Sequence, residues 1–162
     1  MTTAEHKAID QAHDEAKLQR QATAALEAIS VLNKRADSLI TKGDEEIQKF
    51  RADLQGDVSA TSAMQWADGV MSATAARDVA KHIKKQIKSI PNETNIWLLR
   101  DSVNDRVIGS AKYPEFSTSP TRNLMSQFMA SAFAEWASLL NQTVEHLEAN
   151  GLKRPKSTTD EA

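Results

Sequence analysis

Four lysines crowd into eight residues near the middle of the chain and form its clearest charged feature. On a helix they fall within roughly 100° of one another, opposite three isoleucines, so their ammonium groups could lie along phosphates. The same pattern is typical of a solvated helix face whose lysines sit favourably near a C-terminal dipole. Because no arginine or aromatic residue accompanies them, base-specific reading of nucleic acid has no support. This lysine ridge is Lys81, Lys84, Lys85 and Lys88.

The histidines raise the question of a metal site. His6, Asp10 and His13 share one face of a helix, and the spacing of the last two suits a shared ion. A carboxylate-bridged metal pair in a bundle, however, needs inward Glu-x-x-His pairs from several helices, and this sequence contains no Glu-x-x-His. We therefore expect no metal site, and we expect the histidines, including His82 and His146, to be exposed.

The sequence contains few residues or motifs that would support other kinds of catalysis. The chain has no cysteine, which excludes thiolate catalysis, disulfides and cysteine-ligated zinc. Its five glycines are dispersed, so neither a P-loop nor a dinucleotide-binding loop is present. No Gly-x-Ser-x-Gly motif nominates a nucleophile. The sequence thus predicts no catalytic residue, no cofactor and no enzyme.

The residues that could position any site belong to helices, and the strongest helical signal is a long apolar stripe. Its members lie within about 60° of a common line over ten turns, so one face of a very long helix is built to be buried. Alanine and glycine on this seam permit close approach by a neighbour. The stripe is a candidate helix–helix interface comprising Leu18, Ala22, Ala25, Ile29, Leu32, Ala36, Leu39 or Ile40, Gly43, Ile47, Phe50 and Leu54.

Three further segments follow the long helix. Residues 60–90 predict a second helix stopped by Pro91. Residues 92–113 fit either a helix, which would turn Trp97 and Leu98 outward, or a small β-hairpin at 95–113. The last helix is bounded by Ser119-Pro120 and Asn150-Gly151. Its apolar arc spans about 180°, wide enough to contact two neighbours. Within it lies a candidate partner groove of Met125, Phe128, Met129, Phe133 and Trp136.

Composition and charge bound the class of protein. The 162 residues are 40% hydrophobic, 26% charged and only 5% aromatic, which favours helices joined at alanine- and leucine-lined seams. A net charge of −2 points to neither nucleic acid nor an anionic membrane. No secretory signal or membrane span is visible, so we expect a soluble cytoplasmic protein. We divide the chain into an N-terminal arm or helix extension (1–17), a helical domain (18–151) and a disordered tail (152–162).

The combined prediction is an all-α protein, an elongated helical bundle or antiparallel helical hairpin with one very long N-terminal helix. The second helix is shorter than the first, so part of the first lacks an intrachain partner. We therefore expect a non-enzymatic interaction or assembly protein, an oligomeric adaptor, scaffold or inhibitor that forms a homodimer through helix–helix contacts. The alternative is a nucleic-acid-associated protein that uses the lysine ridge.

Overall fold

A computed structural model describes residues 3–56, 59–89, 95–112 and 120–154. They form a bundle of four α-helices with no strand in the described ranges, which confirms the all-α prediction. The bundle is dominated by α1, whose 51 residues extend about 77 Å at 1.5 Å per residue. It runs without interruption through the expected arm boundary at residue 17. The helices are α1 (Thr3–Asp53), α2 (Ala60–Ser89), α3 (Asn95–Lys112) and α4 (Pro120–Ala149).

The hairpin alternative for 95–113 is wrong, because Asn95–Lys112 is a single helix. Ile96, Leu99 and Val103 recur at helical spacing and are at most 1% exposed, so a helix buries all three on one face. Strands would have sent Ile96 and Leu99 to opposite faces. The position of Trp97 also differs from expectation. It is only 2% exposed, and its indole nitrogen donates to the Glu148 carboxylate at 2.9 Å.

Ion pairs and hydrogen bonds define the directions of the helices. In the α1–α2 pair, Asp37 contacts Lys84 whereas the later Asp44 contacts the earlier Arg77, so these helices are antiparallel. The α3–α4 pair is antiparallel as well: Trp97 contacts Glu148, and Asn104 contacts Asn141.

The core lies where the middle of α1 meets the second half of α2, with α3 and α4 completing it. Small residues let α1 and α2 approach closely: Ala36 of α1 and Ala80 of α2 are fully buried. Larger aliphatic side chains fill the remaining space between the four helices. The largest of them, all under 2% exposed, are Leu32, Val79, Ile83, Ile96, Leu99, Val103, Leu140 and Val144.

A glycine cap closes α4 and links it to α1. Gly151 has φ 87°, and the backbone N–H groups of Gly151 and Leu152 donate to the carbonyls of Glu148 and Leu147. These two hydrogen bonds form a Schellman cap, which places the next apolar residue against the helix. Leu152 is accordingly 7% exposed and belongs to the core, whereas the predicted tail (152–162) begins at this residue. The tail residues 155–162 lie outside the described residues. The amide of Gln21 in α1 donates to the Gly151 carbonyl.

The long helix α1 extends beyond the end of α2, the helix it packs against. Since Asp37 contacts Lys84, the end of α2 at Ser89 lies beside residue 32 or so of α1. Every described side chain from Gln11 to Arg20 is exposed, Leu18 being outside the description. These described residues of α1 are therefore uncovered by the rest of the chain, whereas from Gln21 onward the helix is partly covered again. No helix in the described part of the chain is long and apolar enough to cross a bilayer.

Candidate functional site

An open groove lies between α1 and α4. The first helix packs mainly on α2, and α4 packs mainly on α2 and α3, so α1 and α4 touch only sparsely along their shared edge. The groove has a volume of about 310 Å³, and its surface is mostly apolar. It is lined by Val31, Leu32, Arg35 and Leu39 of α1 and by Glu135, Trp136 and Leu139 of α4.

The groove has a buried floor and an exposed apolar rim. Leu32 and Trp136 form the floor and are 1% and 3% exposed, while Leu39 and Leu139 are half-buried. Val31 stands on the rim with 64% of its surface exposed. Covering Val31 alone would contribute roughly 1 kcal/mol from its apolar area. Covering the groove with another apolar surface would therefore lower the free energy of the system.

Opposite charges flank this apolar strip, one on each helix. Arg35 of α1 and Glu135 of α4 are both exposed. Within the described part of the chain neither takes part in an ion pair, in contrast to the arginines at 77, 100 and 154. A cation on one wall and an anion on the other are therefore left to interact with whatever lies across the groove.

The predicted interface stripe of α1 is covered mainly from inside the chain. Ala25, Leu32, Ala36 and Gly43 are buried, and most other members are half-buried. Leu54, beyond the end of the helix, is 51% exposed. The side chain of Leu18 lies outside the description. The neighbour that the stripe contacts is largely α2, while Leu32 and Leu39 also line the groove. The half-buried members are Ala22, Ile29, Leu39, Ile40, Ile47 and Phe50.

The aromatic set predicted on α4 divides between two neighbours. Phe133 turns toward α2 and α3: its ring lies edge-on to His82 at 5.9 Å, and the guanidinium of Arg106 lies 5.3 Å from its centroid. Trp136 turns toward α1 and forms the groove floor. The wide apolar arc therefore serves two contacts. The other members, Met125, Phe128 and Met129, are half-buried.

The lysine ridge is partly engaged within the chain. The Lys84 ammonium pairs with the Asp37 carboxylate across the α1–α2 seam. Lys81, Lys85 and Lys88 are exposed on α2. Three ammonium groups, not four, are thus free of this contact.

Between α2, α3 and α4 lies a half-buried polar pair that no sequence pattern indicates. The expectation that the histidines are exposed is wrong for His82, whose Nε2 is buried without a hydrogen-bond partner. One turn later the Gln86 amide donates to the Ser102 hydroxyl, but its own oxygen is buried and unpaired. Burial lowers the pKa of His82 below 6.5, and the charges of Arg106 and Lys85 lower it further.

This lowered pKa predicts a loss of stability in mild acid. The unfolded chain takes up a proton on His82 near pH 6.5, whereas the folded chain takes it up at lower pH. The part of the free energy of unfolding that is linked to His82 is therefore fully present above pH 6.5. It is lost as the pH falls below that value, with a slope of at most about 1.4 kcal/mol per pH unit. Urea unfolding of wild type and His82→Leu between pH 8 and 5 measures it. The variant should lose less stability than wild type, while His13→Leu, at an exposed site, should follow wild type. Equal slopes for wild type and His82→Leu would contradict the assignment.

Metal-ligating side chains do not gather in the described part of the structure, where no group of three or more is placed to hold an ion. The side chains of His6 and Asp10 lie outside the description, and His13 is exposed.

Some of the residues that line the groove belong to apolar faces predicted from the sequence, and others do not. Leu32 and Leu39 belong to the predicted stripe, and Trp136 and Leu139 to the apolar arc of the last helix. The stripe does not include Val31, because Val31 lies about 100° from Leu32 on the helix. Comparison with known proteins adds no assignment, since no family model, curated relative or solved structure matches the chain.

Proposed function

We propose that this chain is a non-enzymatic interaction or assembly protein, an adaptor, scaffold or inhibitor, that acts through helix–helix contacts. The observation that supports it best is the α1–α4 groove, where an exposed valine stands over a buried leucine and tryptophan. Amphipathic helices bind in such grooves by inserting side chains spaced one turn apart.

The groove differs from the other exposed apolar residues. Met64, Leu98 and Ile108 are at least half exposed as well, but isolated apolar side chains are normal on protein surfaces. At the groove, by contrast, Val31, Leu39 and Leu139 share one concave surface. A concave apolar strip with charged edges is typical of a binding site.

An anionic partner on the lysine ridge is the alternative proposal, and it has less support. Lys84 is paired with Asp37, which leaves three exposed lysines on a chain of net charge −2. Binding through them would disappear as salt rises. Retardation of duplex or single-stranded DNA at low salt, lost in a triple lysine-to-glutamate variant, would favour this alternative over the groove.

Site-specific crosslinking tests the proposed function, and the absence of cysteine makes it simple. A photoreactive maleimide on Val31→Cys should crosslink to a second polypeptide, because the label sits in the contact. Ser30→Cys is the matched control: it is exposed and adjacent, but the helix turns it about 100° away. The labelled proteins are irradiated alone and in extract of the source cells, and the adducts are identified by mass spectrometry. Equal or absent crosslinking from the two positions would refute the groove as a binding surface.

A further inference from the structure

We infer that the groove is filled by the same groove of a second copy of this chain, so that two copies pair about a two-fold axis. The inference rests on the proposed function and names the partner. In such a dimer α1 and α4 of one copy face α4 and α1 of the other. The charged edges, the extent of the surface and the closure of the assembly all bear on this choice.

The charges at the groove edges are self-complementary. A partner that pairs both charges presents an anion to Arg35 and a cation to Glu135, across an apolar centre. A two-fold axis parallel to the groove meets both demands at once, because it brings Arg35 of each copy to Glu135 of the other. An unrelated helix would need a matched pair of charges at the same separation. Two copies need no further feature.

The surface that a second copy would cover extends beyond the groove itself. A stable interface buries about 800 Å² of solvent-accessible surface on each partner and involves roughly 20 residues a side. The groove itself contains fewer residues than that. The surface continues toward the N-terminus of α1 along a second shallow depression lined by Arg20, Ala24 and Glu27 among others. On α4 it continues through Phe128, which is half-buried and lies two turns before Glu135.

Closure follows from the same geometry. In a two-fold pair each groove covers the other, so the two copies leave no groove open for a third. A head-to-tail contact would leave one groove free at each end and continue into a filament.

Charge reversal tests this pairing directly. Arg35→Glu gives each chain two anions at the groove, and Glu135→Arg gives each chain two cations, so each single variant should dimerise about 10- to 100-fold more weakly than wild type. Mixed together, the two variants should form a heterodimer, because every contact is again between opposite charges. Native mass spectrometry distinguishes the heterodimer from both homodimers. Both residues are exposed and without an ion pair among the described residues, so each variant should fold, which circular dichroism checks.

The outcomes separate this inference from the proposed function. Weak homodimers that recombine into a heterodimer support the two-fold pairing. Dimers of the single variants as stable as wild type would overturn it, since the charged edges would then not meet. A monomeric wild type whose residue 31 crosslinks to a different protein would overturn the pairing and leave the proposed function standing. A monomer with no crosslink would remove both.

Discussion

Replacing Gly43 by leucine should lower the free energy of unfolding by about 3 kcal/mol, the upper end of the range for overpacking a filled site. Gly43 is buried where α1 crosses α2. A Cβ placed there would lie 2.6 Å from the Cβ of Arg77 and 2.9 Å from the carbonyl oxygen of Ala73. Both distances are too short for real carbon atoms, and leucine adds three further carbons.

The surroundings of Gly43 have little freedom to yield. The Ala73 carbonyl is part of the α2 backbone, so it moves only if the helix moves. The Arg77 side chain is held by Asp44 at 3.0 Å and by Asp78 at 2.9 Å. A larger residue at position 43 must therefore separate the two helices or break the contact between Arg77 and Asp44.

A second glycine provides the matched control. Gly69 lies inside α2, but a Cβ there would meet nothing within 4 Å. Gly69→Leu should raise stability by about 0.5–1 kcal/mol, because leucine favours the helix and nothing opposes it. Urea unfolding of both variants measures the difference. Loss of stability at Gly69 equal to that at Gly43 would show that the effect comes from leucine itself and not from the helix crossing.

Gly43 also shows how much the sequence alone could predict. Its place on a stripe with helical period indicates burial and close approach by a neighbour, and both are observed. The periodicity could not identify that neighbour, because any helix with a small-residue face fits such a seam. Only the tertiary fold selects α2, through contacts such as Asp44 with Arg77, whose residues lie 33 positions apart.

The groove and the half-buried His82 could not be predicted from the sequence. Arg35 and Glu135 are 100 positions apart, and nothing local to either predicts that they flank one surface. His82 looked like a solvated member of a lysine-rich helix. It is half-buried because α3 and α4 close over that face of α2, bringing Arg106 and Phe133 beside it. Local pattern gives the helices and their apolar faces; the pairing of faces depends on the whole chain.

Val31→Asp should convert the proposed dimer into a monomer without unfolding the chain. In the single chain position 31 is 64% exposed, so a carboxylate there stays in water and changes stability by no more than about 0.5 kcal/mol. In the dimer the same carboxylate would be buried in an apolar strip, which costs several kcal/mol. The dissociation constant should therefore rise at least 100-fold.

Ile108→Asp is the control for this substitution. Ile108 is an exposed aliphatic residue too, at 50%, but it lies on α3, which does not line the groove. This variant should keep the mass of wild type. Dissociation of the Ile108 variant together with the Val31 variant would mean that any added charge disrupts the assembly.

The mass of the wild-type protein in solution is the most direct measure of the central claim, that the α1–α4 groove is filled by a second copy. Sedimentation equilibrium over a dilution series at micromolar concentration should give twice the chain mass of 17.8 kDa for wild type. It should give the single-chain mass for Val31→Asp. A wild-type mass of 17.8 kDa at every concentration would contradict the account, and so would a dimer that Val31→Asp leaves intact.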